Sequence, residues 1–318
     1  MDSETRTVIH IGLPKACSTY LQQSVAGLPD IRLIEHPELL QLRVAAFGDA
    51  PEHAAIENLR KMKADIRETG AFIISDERLS SWRHTDFRWL SGSAVRSYQK
   101  RCATLLRNVF GNCRILLLSR NPRSWLASIH AQYVKAGESK SLADFCEHNW
   151  EYLIQASRLD DLVVFYSEQF GSSSVRVFPV EASNTPNAND WRGWVNKQCG
   201  DLITWPRQAH YQGLDSGIKA AQRNMNRIID KLAENSCITS SESATFKAEI
   251  FRFVERTLVD NSNNQRRLRR YIAAQAGPQD ENSIRQQSPP DVLVDEILKG
   301  MTRTLRRPEF RTVLSMYR

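Results

Sequence analysis

Short runs of consecutive apolar residues alternate, over roughly the first 180 positions, with stretches in which apolar residues recur every three or four. Thr7–Ile11 (TVIHI), Ala71–Ser75 (AFIIS), Arg114–Ser119 (RILLLS) and Val175–Val180 (VRVFPV) are too short for helices and too continuously apolar for half-exposed strands. They predict strands buried on both faces. Between them the pattern predicts helices through Tyr20, Leu21 and Val25, over Pro51–Arg67, and over Val95–Phe110, the last stopped by Gly111-Asn112. Another starts at Pro122, where a first helical turn tolerates proline, and carries Trp125, Ile129 and Tyr133 at helical spacing. Two acidic amphipathic helices follow, near Leu142–Trp150 and Tyr152–Phe170, the second ended by Gly171. Buried strands separated by helices are the mark of a parallel sheet covered on both faces. After about Asn184 the strand pattern stops. Beyond the loop Ser183–Asp190 the chain reads as helix almost to its end, interrupted by the polar segment Gly277–Pro290. The expected fold is α/β, a P-loop-like parallel sheet flanked by helices over residues 1–200. A helical C-terminal extension, residues 201–318, is expected to pack on that core.

Composition narrows the class. The chain of 318 residues is 41% hydrophobic and 25% charged, which fits a folded globular protein and excludes a disordered, collagenous or disulfide-scaffold chain. No apolar run approaches the roughly 20 residues of a membrane span, and the polar start Met1–Arg6 does not resemble a signal peptide. Six scattered cysteines without a CxxC pair suggest reduced thiols in a cytoplasmic protein and no zinc site. The net charge is +7, and residues 201–318 carry five of those positive charges. An anionic substrate, a polyanion or a solvated helical face would each account for that excess.

Two strand-to-helix junctions carry candidate chemistry. In the first, VIHIGLPKACSTYLQ (residues 8–22) places Gly-Leu-Pro-Lys between a strand and a helix. Loop N–H groups and a helix N-terminus converge there on one positive spot, Lys15 adds a full charge, and Ser18 and Thr19 add hydroxyls. This is not a Walker A loop, because Lys15 stands three residues before Ser18 instead of next to a Ser/Thr. A surface lysine on a structural turn, with Ser18 or Thr19 as helix cap, is the plainer alternative. In the second junction the strand RILLLS runs into Arg120-Asn121-Pro122-Arg123-Ser124-Trp125-Leu126-Ala127-Ser128. Arg120 leaves the carboxyl end of the strand, where ligands of open α/β sheets bind, and Ser128 follows two helical turns later. A guanidinium and a hydroxyl suit a phosphate dianion. Two such junctions suit a ligand with phosphate at both ends.

The first junction resembles the 5′-phosphosulfate loop of the sulfotransferases that use 3′-phosphoadenosine 5′-phosphosulfate (PAPS), whose usual pattern is strand, Pro-Lys-Thr-Gly-(Ser/Thr)-Thr, helix. Pro14, Lys15, Ser18 and Thr19 match it, while Ala16 and Cys17 stand where Thr and Gly are common. The second junction is similar to the 3′-phosphate site of that family, an Arg and a Ser at the separation of Arg120 and Ser128. Phe165–Glu181 resembles the family's helix-Gly-strand segment, with Val180 in place of a tyrosine, and Asn261–Arg270 more loosely resembles an Asn-x-x-Leu element of bacterial and glycan-acting members.

The resemblance implies PAPS as co-substrate, with no metal, held by Gly12, Pro14, Lys15, Ala16, Cys17, Ser18, Thr19, Arg120 and Ser128. Lys15 would neutralise the leaving phosphate. Glu77, in IISDERL, is similar to a Ser-x-Glu stretch that supplies a base in glycan-acting members and would take the acceptor proton. Asp76-Glu77-Arg78 could instead be an ion-paired loop, with His84 as the other candidate base. Trp82, Arg83, Trp89 and Tyr133 could line an acceptor cleft. The expected activity is sulfuryl transfer to a hydroxyl of a carbohydrate, glycan or glycolipid, with no nucleic-acid partner. A P-loop-type nucleotide kinase and a non-catalytic nucleotide-binding relative are the other two readings.

Overall fold

The computed structural model describes residues 6–35, 37–64, 70–81, 92–184, 190–205, 216–258 and 288–317. The apolar runs form strands β1 (Arg6–Gly12), β3 (Ala71–Ser75), β4 (Arg114–Ser119) and β5 (Val175–Pro179), joined by a four-residue strand β2 (Ile31–Ile34) that the pattern did not predict. The five make one parallel sheet in the order β2-β3-β1-β4-β5. Val8, Ile9, Ile11, Phe72, Ile73, Ile74 and Ile115–Leu118 have no exposed surface, as residues covered on both faces of a sheet should.

The contacts divide the chain into two units. The first comprises Met1–Trp125, Asn149–Ala209 and Val292–Arg318 and holds the whole sheet. Its helices, in chain order, are α1 (Ser18–Val25), α2 (Leu40–Phe47), α3 (Glu52–Ala64) and α4 (Gly92–Arg107). The next helix, α5 (Pro122–Lys135), begins in this unit. After α6 (Leu142–His148) of the second unit come α7 (Trp150–Ala156), α8 (Leu159–Phe170) and α9 (Trp191–Gln198). The segment predicted as one helix over Tyr152–Phe170 is thus two. They part at Ser157, whose hydroxyl turns back onto Ile154 O at 3.0 Å. Helix α1 packs on β2 and β3, α8 on β4 and β5, and α9 on β1. The C-terminal residues return to this unit. Asp160 of α8 accepts hydrogen bonds from the Arg303 and Thr304 N–H groups at 2.8 Å and from the Thr304 hydroxyl at 2.7 Å.

The second unit comprises Leu126–His148 and His210–Asp291. It contains the later part of α5, α6, and two 19-residue helices, α10 (Ser216–Glu234) and α11 (Ser240–Leu258), that pack on each other. Two fully buried amides close the end of α5: Gln222 and Asn226 donate to Val134 O at 3.3 and 3.0 Å. Among the described residues no helix is long and apolar enough to cross a membrane.

Candidate active site

The loop between β1 and α1 leaves the centre of the sheet. Leu13 N–H donates to Leu118 O at 2.9 Å, and Ala16 N–H to Leu13 O at 3.0 Å, so the loop is folded back on the ends of β1 and β4. Ala16 has no exposed surface and acts as its floor. Lys15 and Cys17 both adopt left-handed backbone, with φ of 67° and 62°. This conformation suits glycine, and the residue common at position 17 of the pattern above is indeed glycine. At Gly12 space decides instead, since a Cβ there would lie 2.9 Å from His10 Nε2.

Glu77 sits in a single 3₁₀ turn, Glu77–Leu79, directly after β3. Its Oε2 accepts the Lys15 N–H at 3.3 Å and the hydroxyl of Ser18. A carboxylate oxygen therefore occupies the seat formed by the loop N–H and the first hydroxyl of α1. Among the described residues the ion pair of this turn is made by Asp76 and not by Glu77. Asp76 is buried against the fully buried Arg43 of α2 and caps the 3₁₀ turn by accepting Arg78 N–H at 3.0 Å. Ser80 Oγ lies 2.7 Å from the carbonyl oxygens of both Gly12 and Glu77, and Gln99 donates to Ser80 O at 2.6 Å. The carboxylate is thus mounted on a rigid, buried polar bracket.

On the other flank of the loop, Arg120 Nη1 donates to Lys15 O at 3.0 Å and Nε to Ser124 Oγ at 3.1 Å. Its Nη2 makes no hydrogen bond among the described residues. Asn121 caps α5, accepting Arg123 N–H at 3.0 Å on its side-chain oxygen. Its own N–H goes to Glu181 Oε1 at 2.8 Å, and the other Glu181 oxygen accepts the Tyr317 hydroxyl at 2.9 Å. Burial holds the Tyr317 hydroxyl far above its usual pKa, so it stays a donor. Burial likewise pushes the Cys17 thiol up, against the pull of Arg120 and Arg192, so Cys17 is neutral at physiological pH.

Of the residues expected from sequence, Gly12, Pro14, Lys15, Ala16, Cys17, Ser18, Thr19, Glu77 and Arg120 lie along two loop flanks and the helix start between them. Ser18, Lys15, Glu77 and Arg120 form one hydrogen-bonded chain. Ser128 lies on α5 within the second unit, half-buried. Within that unit Tyr133 packs on Phe145, with ring centroids 5.1 Å apart. Trp125 is a core residue, 1% exposed. Trp82, Arg83, His84, Trp89 and Asn261–Arg270 fall outside the described residues. Sequence reasoning missed Ser124, Asn121 and Tyr317. Asn-Pro at the start of α5 was a readable capping signal, whereas Tyr317 is recruited from 136 residues away and left no local trace. Among the described residues no group of three or more His, Cys, Asp or Glu side chains is placed to hold a metal ion, and all six cysteines are free.

The fold and loop define a parallel α/β protein with an oxyanion-accepting, P-loop-like turn at the end of its central strand. No family model and no curated protein matches the chain. Among solved structures, a sulfotransferase from Alicyclobacillus acidocaldarius is similar, with a TM-score of 0.45 and 14% identity over 75% of this chain and 98% of that one.

Proposed function

We propose that the protein is a PAPS-dependent sulfotransferase acting on a carbohydrate hydroxyl. The observation that carries this reading is the seating of the Glu77 carboxylate on the Lys15 N–H and the Ser18 hydroxyl. Donors that already hold one acidic oxygen fit an oxygen of a phosphosulfate. Gly12, Pro14, Ala16, Cys17 and Thr19 would shape that cradle, and Arg120 would take the 3′-phosphate of the nucleotide.

Lys15 and the loop N–H groups neutralise charge that develops on the leaving phosphate oxygen, the task a metal performs elsewhere. Glu77, once displaced from the loop by the arriving donor, is free to take the proton of the acceptor hydroxyl. One O–S bond to the acceptor forms, the S–O bond to the phosphate breaks, and the proton ends on Glu77. Displacement and base catalysis are then two uses of one carboxylate, which becomes available only after the donor binds.

The test is incubation of the purified chain with ³⁵S-labelled PAPS and a panel of neutral and acidic oligosaccharides, alongside magnesium and ATP with the same acceptors. Labelled saccharide from PAPS supports the proposal. Phosphate transfer from ATP without sulfuryl transfer would make it a kinase, and adenosine 3′,5′-bisphosphate binding without any transfer would make it a non-catalytic relative.

A further inference from the structure

At the opposite end of the strands, where they begin, lies a cavity of about 400 Å³ whose lining, among the described residues, belongs to the first unit. That volume is within the range of about 300–1,000 Å³ typical of small-molecule sites. Three cations reach it from three elements: Arg6 at the start of β1, Arg114 at the start of β4, and Lys197 in the last turn of α9. Among the described residues no carboxylate lines it. Among the described residues none of the three cations has an ion pair.

The usual reason for a lysine at the end of a helix is the negative end of the helix dipole. Here three of the last four carbonyls of α9 already have backbone partners. Cys199 N–H lies 3.0 Å from both Val195 O and Asn196 O, Gly200 N–H reaches Lys197 O at 3.3 Å, and Asp201 N–H reaches Asn196 O at 2.8 Å. Arg6 is held in position as well. Its guanidinium approaches Gly200 through Nη1, where φ is 73° and any Cβ would collide with the Arg6 head. The remaining lining is neutral and hydrogen-bonding, with Thr7, Asn112, Ser174 and Gln198, and has one aromatic, Phe170.

The geometry points to a second binding site here, for an oligosaccharide carrying sulfate, phosphate or carboxylate groups. Separate cations match charges spread over a molecule rather than one small anion, which would fill only part of the space. Amide and hydroxyl side chains between the cations match ring hydroxyls. The site is distinct from the loop beside Glu77. Arg6 and Gly12 are the two ends of β1, about 20 Å apart at roughly 3.3 Å per residue. The inference therefore stands whether or not the proposed transfer activity is correct.

The experiment is calorimetric titration of the full chain at low ionic strength with a heparin-derived tetrasaccharide, maltotetraose, and a single-stranded DNA tetramer. The expected result is binding of the sulfated tetrasaccharide, with no heat from maltotetraose and weaker binding of DNA. Arg114→Glu combined with Lys197→Glu should weaken tetrasaccharide binding at least tenfold and leave adenosine 3′,5′-bisphosphate affinity unchanged. Lys15→Ala should leave tetrasaccharide binding unchanged. If the double variant melts early, Lys197→Gln and Arg6→Gln singly should each weaken binding severalfold. Unchanged affinity in these variants, loss on Lys15→Ala, or tighter binding of DNA would overturn the assignment.

Discussion

Glu77→Ala should tighten nucleotide binding while it lowers turnover. The Glu77 carboxylate holds the Ser18 hydroxyl and the Lys15 N–H, the donors that the proposed function assigns to an incoming 5′-phosphate. Sharing is not an option: two unit charges about 4 Å apart near a protein surface repel by about 4 kcal/mol at an effective dielectric of 20. The carboxylate must therefore leave. The Lys15 contact is long, at 3.3 Å, and exposed, so the cost is set mainly by the Ser18 bond. A hydrogen bond to a charged group is worth about 1.5–3 kcal/mol net. Taking the lower half of that range, removing the competitor gains roughly 10–45-fold in affinity. Titration calorimetry with adenosine 3′,5′-bisphosphate measures it directly. Glu77→Gln should fall between wild type and Glu77→Ala, since a neutral amide oxygen still accepts from Ser18 but does not repel phosphate. Affinity equal to or weaker than wild type in Glu77→Ala would refute the displacement argument, whatever happens to turnover.

Lys15→Ala should abolish sulfuryl transfer while the loop keeps its place, because the Lys15 N–H that meets Glu77 and the Lys15 carbonyl that meets Arg120 are backbone groups and survive the substitution, which circular dichroism of the variant checks. Arg43→Met leaves Asp76 buried without its partner and should cost about 3–5 kcal/mol by urea unfolding. Cys17→Gly, at φ 62°, removes a left-handed strain of about 1–2 kcal/mol against a smaller entropic loss, so a net gain of about 0.5–1 kcal/mol is expected in the same assay. His10 is fully buried, and burial lowers its pKa to about 3 from 6.5. The unfolded chain then takes up a proton that the fold refuses, so stability falls as pH drops below 6.5 and the loss levels off below about 3. Between pH 7.5 and 5 this amounts to about 2 kcal/mol that His10→Gln should not lose, read from urea curves at the two pH values.

The sheet was legible wherever burial on both faces made a run continuously apolar, and AFIIS and RILLLS match β3 and β4 residue for residue. β2 was not, because IRLI is an edge strand of four residues with an exposed Arg32 and offers too little periodicity to distinguish it from loop. Helix α2 was hidden for a different reason: its buried face includes Arg43, a charge that pattern reading assigns to solvent. The grouping of Lys15 and Ser18 at the start of α1 was legible because a lysine, a hydroxyl and a helix N-terminus are adjacent in sequence. The direction in which Glu77 faces was not. It depends on Asp76 taking the ion pair with Arg43, a choice made by tertiary packing between residues 33 apart.

Sheet order explains why these two loops are the ones that meet. In the order β2-β3-β1-β4-β5, the chain leaves β1 toward β2 on one side and leaves β4 toward β5 on the other. β1 and β4 are neighbours, with Gly12 paired to Leu118, so their following loops diverge and open a crevice at that point. Lys15 and Arg120 are the cations of those two loops, and the Arg120–Lys15 hydrogen bond closes the crevice floor. Glu77 follows β3, the neighbour of β1 on its other side, and reaches the same loop from there. A cation and a carboxylate thus hold one loop residue from opposite flanks, the cation on its carbonyl and the carboxylate on its N–H. Any anion entering from the strand ends meets the carboxylate on that N–H and Arg120 on the opposite flank. On the proposed reading such a ligand enters by exchange, since the same three strand ends that build the seat also fill it with the Glu77 carboxylate.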